Sequence, residues 1–219
     1  MQVGVLSDIH GNIVALETVL SAMPNVDALV CAGDVVGYNP WHSDCIEAIR
    51  ERDVPTVMGN HDRAVARGGG FAFNSMAGAG VEHARKTLSE GQIEWLADLP
   101  DRRLLFDDRL HVVHGHPDDP DRYTYPDEFG AHLLGDEDAL VLGHTHVQGH
   151  AVTPDGIVLN PGSVGQPRDG DPRAAFAVLD LDAMAVTEHR VEYDIERVQA
   201  AVRDAGLPDR IATRLAGGR

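Results

Sequence analysis

Gln2-Val3-Gly4-Val5-Leu6-Ser7-Asp8-Ile9-His10-Gly11-Asn12 is the stretch whose reading decides the fold. Residues 2–7 form a short apolar run of strand type, broken at Asp8. From 12 to 23, Ile13, Leu16, Val19 and Leu20 recur at helical spacing, and Pro24 ends the run. Residues 27–32 are a second strand-like run. Strand, helix and strand in succession make a βαβ unit, with polar side chains gathered where the first strand stops.

Moving outward, Pro40 after Asn39 stands at a plausible first helical position, opening a helix toward Arg52. Residues 54–58 read as a third short strand. Gly68-Gly69-Gly70 is a flexible breaker, followed by helical stretches over 74–87 and 90–98. Ser89-Glu90-Gly91-Gln92 has the spacing of a capping box for the second of these. The second half is richer in strands, at 104–106, 110–113, 139–142, 149–152, 157–159, 174–181 and 184–191. Pro154-Asp155-Gly156 and Leu181-Asp182-Ala183 read as hairpin turns. Asp194 caps a last helix running to 205. The expected architecture is one α/β domain over 1–219 with two mixed sheets.

Length and composition agree: 219 residues at 43% apolar suit one domain with a substantial core. No apolar run approaches the ~20 residues that span a bilayer. The first residues meet charge too soon for a signal peptide. Cys31 and Cys45 lack CxxC spacing, so no disulfide framework is expected. These features read as a cytoplasmic protein without membrane attachment. Asp and Glu total 35 against 18 basic residues, of which only Lys86 is lysine, giving a net charge of -17. Such a surface repels phosphate backbones, which argues against extended nucleic-acid binding. The excess of Asp, with Arg replacing Lys, reads either as salt adaptation or as the imprint of a GC-rich genome.

Seven oxygen and imidazole donors recur where apolar runs give way to glycine: Asp8, His10, Asp34, Asn60, His114, His144 and His146. A D-x-H match alone means little, since about one is expected by chance in a chain this rich in Asp and His. At a strand end, however, residues i and i+2 of an extended chain face the same way, so Asp8 and His10 can reach one metal. His144 and His146 repeat that device. Gly33 permits a sharp turn into Asp34, whose two oxygens can bridge two metals. Gly59-Asn60-His61-Asp62 is far more specific: Asn60 offers a neutral amide oxygen. His61 is then free to protonate a leaving oxygen, with Asp62 holding its ring. Gly115 clears space beside His114. The other histidines (His42, His83, His111, His116, His132, His150 and His189) lack this setting and read as structural or solvated, with His116 nearest to an exception. Two adjacent metals held by O and N donors are equipment for phosphoester hydrolysis.

Assembled in this order, the chain resembles the calcineurin-like metallophosphoesterase superfamily, and most closely its small single-domain prokaryotic phosphodiesterases. Beyond the metal blocks, Gly33-Asp34-Val35-Val36-Gly37-Tyr38 and Asn160-Pro161-Gly162-Ser163-Val164-Gly165 with Pro167-Arg168 carry the resemblance. It implies two facing mixed β-sheets flanked by helices. It implies Asp8, His10, Asp34 and His146 on one metal, Asp34, Asn60, His114 and His144 on the other, and His61 at the leaving group. Asn12, Tyr38 and Arg168 become candidates for substrate contact. The donor set suits Mn, Fe, Co, Ni or Zn. The implied reaction is in-line attack by a metal-bridging hydroxide on a small phosphoester, most naturally a diester. A non-catalytic scaffold on the same fold, as in a retromer subunit, is the alternative. The pocket rim is expected from residues 68–73 and 118–126. The sequence leaves the substrate, the native metal and a homo-oligomeric state open. If the acidic surface is salt adaptation, stability and activity will rise from low to molar KCl, where the Debye length falls to about 3 Å; full stability without salt refutes it.

Overall fold

In the computed structural model, residues 1–68 and 74–219 are described; the expected breaker at Gly69-Gly70 and most of the 68–73 rim lie outside them. β1 (Gln2–Leu6) pairs in parallel with β2 (Ala28–Cys31), and α1 (Ile13–Ala22) connects them. Asn12 caps α1, its side-chain oxygen accepting from Ala15 N. β8 (Ala174–Asp180) runs antiparallel to β1, and β9 (Ala185–Val191) antiparallel to β8, completing a sheet of order β2-β1-β8-β9. The second sheet is built from β3 (Arg102–Leu105), β4 (Leu110–Val113), β5 (Ala139–Val141), β6 (Gly149–Thr153) and β7 (Gly156–Asn160) in the order β3-β4-β5-β7-β6. In it β4, β5 and β7 are parallel and both edge strands antiparallel. Both sheets are mixed, as the sequence implied.

Alternation along each strand sends one set of side chains between the sheets and the other toward helices. Val3, Val5 and Val30 meet Val112, Val141 and Leu159 in one buried cluster. On the far side, Leu6 and Phe176 pack with Leu16 of α1 and with Ile46 and Ile49 of α2 (His42–Arg50). Each fully buried aliphatic side chain contributes roughly 1.5–3 kcal/mol. α4 (Ser75–Thr87) and α5 (Glu90–Ala97) form where periodicity placed them, and Ser89 and Gln92 make the reciprocal capping box. α6 (Ile195–Asp204) is capped by Asp194.

Two expectations are corrected, and two helices are added. Residues 54–58 do not form a strand; a lone bridge joins Thr56 to Cys31. Pro55 has no N–H to extend the ladder, and the Arg103 guanidinium donates to the Thr56 carbonyl from the other side. The second helix starts at His42 rather than Pro40, because the Asn39 and Trp41 amides donate to the His10 and Gly11 carbonyls and hold that stretch against the first loop. Two helices were not anticipated: α3 (Asn60–Arg67), which begins at the candidate ligand itself, and α7 (Asp209–Leu215).

The parallel strands β1, β2, β4 and β5 release Asp8, Asp34, His114 and His144 from their carboxyl ends at one edge, the usual ligand side of such sheets. Close backbone approach holds these loops together: a Cβ on Gly165 would overlap the Ile9 carbonyl oxygen. Gly165→Ala should therefore lower the melting temperature by roughly 5–10 °C, as overpacking of a buried site does. A thermal scan that shows no change would mean the loops can separate at no cost.

Candidate metal centre

Asp8 and Asp34 are fully buried, and each is ringed by histidines. Asp8 Oδ2 accepts from Ser7 Oγ (2.7 Å) and from the His144 amide (3.0 Å). Its Oδ1 has no hydrogen-bond donor among the described residues and lies 3.1 Å from His146 Nε2 and 3.6 Å from His10 Nε2. Asp34 Oδ1 accepts from the His61 amide at 2.8 Å, while Oδ2 sits 3.6 Å from His10 Nε2 and 3.4 Å from His114 Nε2. One oxygen of each carboxylate is thus anchored by hydrogen bonds and the other is presented to imidazoles.

Ring orientation follows from the outward nitrogens. His10 Nδ1 lies 3.1 Å from the Val36 carbonyl oxygen, His114 Nδ1 2.7 Å from Ala32 and His146 Nδ1 2.6 Å from Gln166. A carbonyl oxygen accepts only, so each Nδ1 carries a proton and each Nε2 points inward as the atom a metal would take. The His10 and His146 Nε2 atoms face each other at 3.0 Å, with Asp8 Oδ1 beside them. Two lone pairs and a carboxylate oxygen converging in a buried space repel unless a cation lies among them. His144 Nε2 donates to the Asp121 carbonyl at 3.2 Å, which leaves its Nδ1 for the same purpose. Asp8, His10 and His146 form one ligand cluster, Asp34, His114 and His144 another, and Asp34 also clusters with His10 and His61. Asn60 Oδ1 lies 3.2 Å from His114 Nε2. The donor set fits divalent metal, and Asp34 belongs to two of these clusters.

The local backbone differs from the extended i, i+2 geometry read from the sequence. Asp8 (φ 54°), His10 (50°), Asp34 (55°), His144 (67°) and His146 (60°) all adopt the left-handed region. For residues other than glycine this costs energy and persists only where the surroundings enforce it. The side chains converge because the chain coils at each strand end.

Charge and burial compete throughout. Burial opposes ionisation of Asp34, yet the His114 and His61 rings outweigh it and hold its pKa well below the carboxylate range. Burial likewise works against Asp8, overcome by His146 and His10. For His114, burial is outweighed by Asp34, and the pKa rises to about 10. Burial, then the neighbouring His114, pushes His144 down to about 4; burial, then Arg168, pushes His146 down to about 3.

Asp62 takes a different part from the one expected. Its oxygens accept from the amides of Asp34 (2.8 Å), Gly59 (3.0 Å) and Val36 (3.1 Å), so it fastens the Asp34 loop to the start of α3. Burial and then the Asp34 charge raise its pKa to about 7. Asn12 is also corrected. It is fully buried, its amide donates to the Gly165 carbonyl and its oxygen caps α1, so it is no substrate contact. The space at Gly115 is taken by the Pro120 and Arg122 carbonyls.

A cavity of about 220 Å³ opens over the ligands. His61, Tyr38 and Arg168 line it, with Arg168 donating to the Tyr38 hydroxyl at 3.1 Å. His61 packs edge-on to His10, ring centroids 4.7 Å apart. Tyr123, from the expected 118–126 rim, stacks on His144 at 4.0 Å, and an Arg63–Asp121 ion pair ties that segment to α3. Asn74 and Arg214 also line the cavity, and no local sequence signal marked either.

With this geometry in view, the comparisons agree. The calcineurin-like phosphoesterase superfamily domain model matches residues 1–184, and the chain belongs to that family. It is a metal-dependent phosphoesterase by that membership. A crystal structure of a metallophosphoesterase from Sphaerobacter thermophilus is 37% identical with a TM-score of 0.87, covering 100% of this chain and 99% of that one. An uncharacterised protein of Methanocaldococcus jannaschii is 29% identical over 99% of this chain and 98% of its own length. The phosphodiesterase YfcE of Escherichia coli is 28% identical over 82% of this chain and 88% of its own.

Metal uptake must displace the proton that His114 holds up to about pH 10. At pH 7.5 loading should release at least one proton per chain, read by calorimetry in buffers of different ionisation heat. Uptake without proton release would contradict the assignment of His114. Without metal, the raised His114 pKa stabilises the fold fully below about 6.5, and that contribution fades as pH rises through about 10.

Proposed function

We propose that the chain is a cytoplasmic phosphodiesterase acting on a small phosphoester with two divalent metal ions. The observation that carries this reading is Asp34 Oδ2 lying within 3.6 Å of His10 Nε2 and 3.4 Å of His114 Nε2, between two ligand clusters. Asp8, His10, Asp34 and His146 would hold one ion and Asp34, Asn60, His114 and His144 the other. Mixed N and O donors without thiolate favour Mn, Fe, Co, Ni or Zn. Bound there, the pair supplies activated water and charge neutralisation for a phosphoryl group. The resemblance to YfcE, itself a phosphodiesterase, supports the diester preference. Among the described residues no helix is long and apolar enough to cross a membrane.

The protein's own residues then divide the work. His61 stands over the cavity on the first turn of α3 and is assigned the leaving-group oxygen. Burial holds its pKa well below that of free histidine, with Asp34 pulling the other way. The ring is therefore neutral at pH 7 until the negative charge of a bound phosphoester raises its proton affinity. Arg168 and Tyr38 face the same cavity and orient the phosphoryl oxygens. Asp62 keeps the loops of both ligand sets in register.

His61→Ala should lower Mn-supported turnover of bis(p-nitrophenyl) phosphate by about 10²–10³-fold while metal content, measured by elemental analysis, stays at the wild-type value. Metal lost together with activity would make His61 a ligand. A wild-type protein that hydrolyses no member of a diester and monoester panel with any of the five metals would overturn the enzymatic reading in favour of a scaffold.

A further inference from the structure

The chain carries a net charge of -17, yet the mouth of the site is basic. Arg168 and Arg214 line the cavity over the metal ligands. An adjoining groove shares Arg214 and Asn74 with that cavity, and Arg210, Thr213 and Arg219 line it further out. Arg168, Arg210 and Arg214 form no ion pair with a carboxylate among the described residues. Some other arginines are engaged by the acidic surface: Arg109 pairs with Asp138, Arg173 with Asp171 and Arg203 with Asp209. Arg168 reaches inward, its charge felt by His61 and His146. Arg214 is half-buried, with Nη1 4.0 Å from Met76 Sδ, and the charged side chains acting on it are Arg168 and Arg210. Three guanidinium groups therefore run outward from the candidate metal ligands, repelling one another with no carboxylate paired to them among the described residues. Such a row costs free energy in the empty protein and is relieved by an anion that spans it.

We infer that this arginine row is a subsite for a second phosphate group, so that the substrate is a phosphoester carrying a further phosphate beyond the one that is cleaved. The inference rests on the phosphoesterase reading for the identity of the first phosphate. A single phosphate on the metals meets Arg168, while a second one bound through a P–O–P link reaches Arg214 and Arg210. Guanidinium groups match phosphate oxygens two at a time, which suits such a site better than lysine would. Both outer arginines lie beyond residue 184, where the family model ends, and so belong to selection of the substrate rather than to the shared chemistry. The surface charge gives the subsite a clear signature: away from these arginines, each added negative charge on a ligand weakens binding to this protein.

Calorimetry on the metal-loaded protein, freed of excess metal, tests the subsite with AMP and with α,β-methylene-ADP, which adds one phosphate through an uncleavable P–C–P link. The analogue should bind about tenfold or more tightly than AMP, the scale of a lost or gained charged hydrogen bond. In Arg210→Ala/Arg214→Ala the two affinities should come within about twofold of each other. Arg210 is exposed, so Arg210→Glu gives a second variant that keeps its fold and should weaken the analogue more than AMP. Arg214→Lys, which keeps the charge, should retain part of the preference. Equal affinities in the wild type, or a preference that survives the double substitution, would overturn the subsite. Hydrolysis of bis(p-nitrophenyl) phosphate by the wild type is read separately. If hydrolysis is absent while the preference and its loss are found, the phosphoesterase reading fails and the anion row stands.

Discussion

Two carboxylates removed from water, with no lysine or arginine against them among the described residues, set the terms for the rest of this structure. Asp8 and Asp34 are anions in a place where an unpaired anion costs several kcal/mol. Their partners are imidazoles, and carbonyl oxygens fix those imidazoles with their Nε2 atoms inward. Positive charge at the focus is therefore required, and protons or metal ions are the available forms. The strand ends, the left-handed turns and the glycines at close approaches are the means by which the fold brings these groups together. Without a cation the cluster is a source of repulsion, which is why the surrounding loops are so heavily hydrogen-bonded.

That bonding makes Asp62 more important than its lack of a role in the chemistry suggests. Three amides from two loops converge on it, and its neighbour Asp34 is itself bonded to the His61 amide. The segment 118–126 performs a similar service for His144 through the Asp121 carbonyl and the Tyr123 ring. The Arg63–Asp121 ion pair links that segment to α3, so the two supports brace one another.

The donors that the fold gathers were legible in the sequence because each belongs to a short local motif at the end of an apolar run. The two-sheet fold was legible for the same reason: strand length, alternation and the βαβ start are local properties. Other features depend on contacts between distant segments and leave little local trace. Residues 54–58 look like a strand by composition, but Pro55 and the Arg103 side chain leave a single bridge. Asn12 reads as a polar residue beside a site, yet its amide is taken up by the helix start and by Gly165, which only the fold brings near. Arg214 comes from the far end of the chain and reaches the cavity through the packing of α7 against α6 and Tyr38. The i, i+2 spacing put Asp8 and His10 in one cluster, though through left-handed coiling rather than an extended strand, while His144 and His146 go to two.

Asp34 also sits at the amino end of α3, where the His61 N–H grips one of its oxygens. A carboxylate pinned in this way has no rotamer freedom left to lose. The remaining oxygen is preorganised among the His10 and His114 nitrogens, so the place where metal would meet it is dictated by the polypeptide. Ions are then selected by how well they tolerate a place that is already set, and little entropy is surrendered on loading.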